Sequence, residues 1–220
     1  MKMVRLLAWV GVACVAPWTT AAEAQPLQTV VAPQIEARRQ IASFEVTLED
    51  AVRFGTQMLD RRLQASSAAN MVMLAGLARA RGFRLDNYGV LFDVEFPSMR
   101  RSMVWSLQEL ERASTGKPQQ TNQVSSIKPR EIYESEITEA LVTAVLDGSA
   151  GVGVGPEEWL TIAARESVVD RRFMQAGTPG VPAEPAMTVI VRAKGSDLNA
   201  LRAGALTRDE ARRRIEVKHY

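Results

Sequence analysis

The pattern of apolar residues predicts an α+β fold, a small and mainly antiparallel sheet packed against a long amphipathic helix, with an irregular N-terminal arm. Three stretches carry that expectation. In GVLFDVEFP, Val90, Phe92, Val94 and Phe96 alternate with Leu91, Asp93 and Glu95, the period of a half-buried strand. In MTVIVRAK, Met187, Val189, Val191 and Ala193 alternate in the same way with Thr188, Ile190, Arg192 and Lys194. Between them, Tyr133, Ile137, Ala140, Leu141, Ala144 and Val145 recur at helical spacing behind a first-turn Pro129, which predicts a helix from Pro129 to Leu146.

From the N-terminus, Lys2 and Arg5 precede an apolar run from Leu6 to Ala16, and Ala22 and Ala24 fit cleavage before Gln25. Residues 1–24 therefore read as a secretory signal peptide. An apolar run of this length covers about half of a ~30 Å hydrocarbon core, so the layout favours a cleaved leader over an anchor. Cys14 is the single cysteine of the chain and lies inside the leader. Lipidation there is the alternative fate, against which Gly11 stands where a bulky aliphatic residue is usual. A mature chain without thiols has no disulfides, thiolate zinc sites or cysteine nucleophile.

Removing the leader takes Lys2, Arg5 and Glu23 from 27 basic and 25 acidic residues, leaving 25 against 24. That balance offers no basic footprint for nucleic acid. Residues 25–46 read as the N-terminal arm, and residues 47–220 as a single domain with a flexible linker near residues 114–128.

Within the domain, Thr47-x-x-Asp50 resembles a capping box, and Leu48, Val52, Leu59 and Leu63 predict a helix from Leu48 to Gln64, weakened at Gly55 unless close packing needs the bare backbone. Met71 to Arg84 is the expected antiparallel partner of GVLFDVEFP, with Asp86-Asn87 as the turn. Ser98 to Arg112 is read as a helix with Met103, Leu107 and Leu110 as its stripe. In GVGVGPEEWL, Gly148 is the expected left-handed C-cap before a connector, and EWLTIAARE the strand beyond it. Phosphate loops require the reverse order, strand then glycines then helix. Ser196-Asp197 should cap a short helix, Thr207 to Glu210 forms a capping box, and Ile215 and Val217 predict a last edge strand. The core should draw on Phe92, Val94, Phe96, Ile137, Leu141, Val145, Leu160, Ile162, Val189 and Val191.

Chemistry has few candidates. Ser149, an aspartate at 170 or 197, and His219 follow the chain order of one hydrolase triad, but Asp147 replaces the first glycine of G-x-S-x-G and the serine follows a helix. Asp93 and Glu95 share a strand face, with Cα atoms roughly 7 Å apart, but no aromatic-lined cleft is evident in the sequence around them. Glu131, Glu134 and Glu139 read as the wet side of their helix. One histidine excludes ordinary zinc sites, and no cofactor loop is formed. The expectation is thus an exported, non-catalytic protein of the bacterial envelope, periplasmic or secreted, that binds another envelope protein or assembles with itself. A hydrolase using Asp93 and Glu95 or Ser149 is the first alternative. Membrane-surface attachment through Cys14 or the Ser98 to Arg112 helix is the second.

Overall fold

The computed structural model describes residues 31–65, 72–101, 128–167 and 186–220. The expected leader, the expected linker up to residue 127 and residues 102–112 of the expected Ser98 to Arg112 helix lie outside them. Helix α1 spans Val31–Ala65; strands β1 and β2 span Val72–Ala75 and Arg79–Leu85; β3 and β4 span Gly89–Phe96 and Ser98–Arg101. Helix α2 follows at Pro129–Gly148 with a 3-10 turn at Ser149–Gly151, then β5 at Trp159–Glu166, β6 at Thr188–Lys194, helices α3 (Gly195–Arg202) and α4 (Arg208–Arg214), and β7 at Glu216–His219.

The α+β fold is as expected. The main sheet has the order β2-β3-β5-β6-β7, antiparallel except for the parallel β3–β5 pair that α2 connects, and β1 and β4 form a separate two-stranded sheet. One face of the main sheet is packed beneath α1 and α2. All ten residues expected in the core are buried, the seven strand residues because a side chain two positions along a strand returns to the same face, and Ile137, Leu141 and Val145 because positions four apart share one side of α2. Tyr133 meets Phe96 edge to face, and Phe44 meets Phe92 in the same way. Among the described residues, no helix is long and apolar enough to cross a membrane.

Several boundaries differ from the sequence expectation. Residues 31–46, expected as arm, form the first part of α1, because Ile41 and Phe44 extend the buried stripe of Leu48, Val52, Leu59 and Leu63 backwards. Pro33 is tolerated within the first turn, where no backbone N–H has an intrahelical acceptor. Thr47 is consequently mid-helix and caps nothing; its hydroxyl donates to the Ser43 carbonyl at 3.2 Å.

Met71 to Arg84 is not one strand. Gly76, at φ 110, breaks it, so that only Arg79–Leu85 pairs with β3 while Val72–Ala75 pairs with β4. Asn87, at φ 60, makes the expected turn. Ser98–Arg101 is strand rather than helix, drawn into β4 by Glu166, whose carboxylate accepts the Met99 amide at 2.7 Å, and by the Ser98 hydroxyl on the Ala75 carbonyl.

Gly148 is right-handed at φ −103 and not the expected left-handed cap. Its bare backbone serves packing instead: a Cβ would lie 2.9 Å from Thr47 Cγ2 and 3.0 Å from Phe44 Cε2. Gly55 likewise permits the crossing of α1 and α2, where a Cβ would lie 3.1 Å from the Glu136 carbonyl. Helix α3 begins at Gly195 with Lys194 at its N-cap, two residues before the expected Ser196 cap. The Thr207–Glu210 capping box is formed as read.

Candidate functional site

The sequence candidates for catalysis do not converge. Ser149 is buried at 5% exposure beyond the C-terminal end of α2, whereas His219 lies beside Glu134 near its start. The helix between those positions is roughly 22 Å long at about 1.5 Å per residue. Asp197 is held by Arg214 at 2.7 Å, and Asp170 lies outside the described residues. Asp93 and Glu95 sit on the sheet face opposite the core, and Arg165 bridges them at 3.2 and 3.1 Å. Arg81 and Arg79 stand directly across on β2. A carboxylate pair clamped by one guanidinium on an open sheet face lacks the enclosed sugar cleft that two-carboxylate hydrolysis uses. Among the described residues, no cluster of three or more acids or histidines could hold a metal ion.

The glycine stretch is tied up by its own neighbours. Glu158 accepts the Gly155 amide at 2.7 Å and both of its oxygens take Arg84 Nη2 at 2.8 Å, while Arg84 Nη1 donates to the Gly153 carbonyl at 2.8 Å. Gly153 adopts φ 65, a left-handed position that favours glycine. The carbonyls of Glu158 and Pro156 then accept the first amides of α3, from Gly195 at 2.8 Å and Ser196 at 3.0 Å. The loop therefore caps a helix with its carbonyls, and the place of an anion at Gly155 is taken by a carboxylate of the same loop.

A groove of about 440 Å³ runs between the outer sides of α1 and α2, floored by Ala51, Ala140 and Ala144 beside Phe54. Each of its four carboxylates is engaged by an arginine: Asp50 by Arg53, Glu136 by Arg62, Glu139 by Arg212 and Asp147 by Arg208. Hydrogen bonding from Arg212 holds the Glu139 carboxyl below its ordinary range. The groove thus presents small apolar side chains rimmed by carboxylates that are each paired with an arginine.

The two edges of the main sheet differ sharply. At the β2 edge, α1 takes the place of a missing strand: Glu45 accepts the Gly82 amide at 2.7 Å, Glu49 accepts the Ala80 amide at 3.2 Å, and Arg38 donates to the Gly82 carbonyl at 3.1 Å. These outward backbone groups are satisfied and screened from another chain. At the opposite edge, β7 pairs with β6 on one side only. Thr188 and Tyr220 exchange both backbone hydrogen bonds, at 3.2 and 2.9 Å, which fixes the alternation of the ladder. Lys218 and Glu216 then face β6, and the N–H and C=O groups of Val217 and His219 point outward. Among the described residues, nothing pairs with them.

Chemistry and shape are also divided across β7. Glu216 shares the open face with Arg192, which it meets at 3.3 Å, and Arg192 stacks over the Trp159 ring at 4.3 Å. Val217 is opposite Val191 on the core side, where His219 reaches Glu134 of α2. Sequence reading identified Ile215 and Val217 as an edge strand but missed the sealed edge, since Glu45 and Glu49 act on residues more than thirty positions away. The one local signal was the presence of both acids on one helical side, four residues apart.

No protein-family model matches the chain, and neither the curated proteins nor the solved structures give a significant match to it.

Proposed function

We propose that the chain is an exported, non-catalytic assembly module of the bacterial envelope, periplasmic or secreted, which accepts an extended strand along β7. The observation that carries this reading is the asymmetry of the sheet: α1 seals the β2 edge with two carboxylates and a guanidinium, while β7 leaves the amides and carbonyls of Val217 and His219 outward. Strand addition uses such groups for affinity and the alternating side chains for selectivity. Export is supported by Lys2, Arg5, the apolar run to Ala16 and the Ala22-x-Ala24 cleavage pattern.

Val217→Pro tests the edge. Proline removes an outward N–H that β6 does not use, so the fold should keep its melting temperature while strand capture is lost. Amide exchange supplies the second readout, with protection of Val217 and His219 expected on assembly. A hydrolytic activity of the wild type that Asp93→Asn or Ser149→Ala abolishes would overturn the non-catalytic reading. Sequencing of the native N-terminus tests export, with Gln25 expected and an intact Met1 decisive against it.

A further inference from the structure

We infer that the strand received by β7 is the β7 of a second copy of this chain, paired antiparallel about Val217 so that two five-stranded sheets join into one. The inference rests on the reading of β7 as the recognition edge and adds the identity and register of the occupant.

The sequence Glu216-Val217-Lys218 is complementary in charge to itself when reversed. A two-fold axis normal to the sheet through Val217 runs the second β7 antiparallel and sets Glu216 across from Lys218 of the copy, and Lys218 across from its Glu216. Directly opposed residues share a face, and these two pairs fall at the close, non-hydrogen-bonded positions of the ladder. Both side chains lie on the open face, as the Arg192–Glu216 contact at 3.3 Å requires. The outward groups of Val217 meet those of Val217 in the copy. The His219 amide meets the Ile215 carbonyl, Ile215 being already extended at φ −69, ψ 125. A shift of centre to Lys218 would instead oppose lysine to lysine, so charge selects the register as well as the partner.

The β2 edge cannot compete for the same role. Its outward amides at Ala80 and Gly82 are already bound to Glu49 and Glu45. A symmetric β7 pair is therefore closed on itself: among the described residues it consumes the open edge of the main sheet in both copies.

Sedimentation of the full exported chain over a range of concentrations tests this. Lys218→Glu makes both open-face positions of β7 acidic, and Glu216→Lys makes both of them basic, so each variant opposes like charges twice in its own pair. Each should self-associate at least roughly tenfold more weakly than wild type. An equimolar mixture opposes unlike charges at both positions and should recover dimer to near the wild-type level, which general destabilisation by either substitution cannot produce. Variants that dimerise as well as wild type, or a mixture that stays monomeric, overturn the register and the inference with it. A wild type that stays monomeric throughout overturns the second copy as occupant. Val217→Pro then separates the two readings: loss of binding to a different envelope protein keeps β7 as the recognition edge, and unchanged binding removes that as well.

Discussion

The Gly82 amide on β2 donates to the Glu45 carboxylate on α1 at 2.7 Å, across 37 residues of sequence. With Glu49 accepting the Ala80 amide and Arg38 donating to the Gly82 carbonyl, a helix supplies hydrogen bonds that a sixth strand would otherwise provide. Gly82 is buried and has no side chain, which lets α1 lie close enough for a glutamate to reach the backbone.

Removing that acid should therefore be costly. Glu45→Ala leaves a buried amide without an acceptor and should destabilise the fold by about 1–3 kcal/mol, whereas Glu45→Gln keeps an acceptor and should lose less. Urea denaturation of the two variants checks the order. Equal stability of Glu45→Ala and wild type would show that the β2 edge is satisfied by something else.

Gly82 itself permits a sharper comparison. A Cβ there would lie 2.4 Å from Ile41 Cγ2 and 2.6 Å from Phe92 Cε1, while at Gly151 nothing lies within 4 Å. Gly82→Ala should cost about 1–3 kcal/mol through overpacking, and Gly151→Ala should be close to neutral. Thermal melts of both variants decide it, since a backbone-entropy effect alone would move them in the same direction.

These two glycines also show what the sequence made legible. The buried faces of β3 and β6 were readable because Phe92, Val94, Val189 and Val191 obey a local period of two. The start of α1 was not, because residues 34–39 are exposed and mostly polar and only Ile41 and Phe44 mark the buried stripe before Leu48. Ser98–Arg101 was misread because one apolar residue, Met99, satisfies either period. Its strand state is set by Glu166, 67 positions on, which binds the Met99 amide. Of the candidate site, the strand at Val217 could be read from its own residues. The sealed edge could not, since it depends on helix α1 lying against β2.

Tyr133 gives the fold a pH dependence at the alkaline end. Its hydroxyl donates to the Pro97 carbonyl at 2.7 Å, and burial, with a further contribution from the Glu166 charge, pushes its pKa above the ordinary tyrosine range. A pKa raised in the folded state gives stability that is complete below the unfolded tyrosine value of about 10 and is lost as pH rises above it. Tyr133→Phe should cost about 1 kcal/mol at neutral pH through the lost hydrogen bond. The gap between variant and wild type should narrow from about pH 9 to about pH 11, because phenylalanine has no proton to lose. Denaturation midpoints across that range test the sign, and a gap that widens would contradict it.

In the glycine stretch GVGVGPEEWL the backbone groups are occupied from within the chain. Glu158 already occupies the Gly155 amide, Arg84 ties Glu158 to the Gly153 carbonyl, and the carbonyls of Pro156 and Glu158 cap α3. An added phosphate would have to displace a carboxylate of the same loop, at a position where the amide is matched and Arg84 is already paired. Nucleotides and pyrophosphate should accordingly leave the melting temperature unchanged, since only a ligand that binds the native state raises it. Arg84→Ala should lower stability by less than about 1 kcal/mol, as expected of a partly exposed ion pair. It should also accelerate exchange of the Gly155 amide, because Glu158 loses the partner that fixes its carboxylate. Gly153→Val should cost more, through its left-handed backbone at φ 65. A saturable rise in melting temperature with pyrophosphate, abolished by Gly153→Val in a variant that still folds, would show that the loop holds an anion after all.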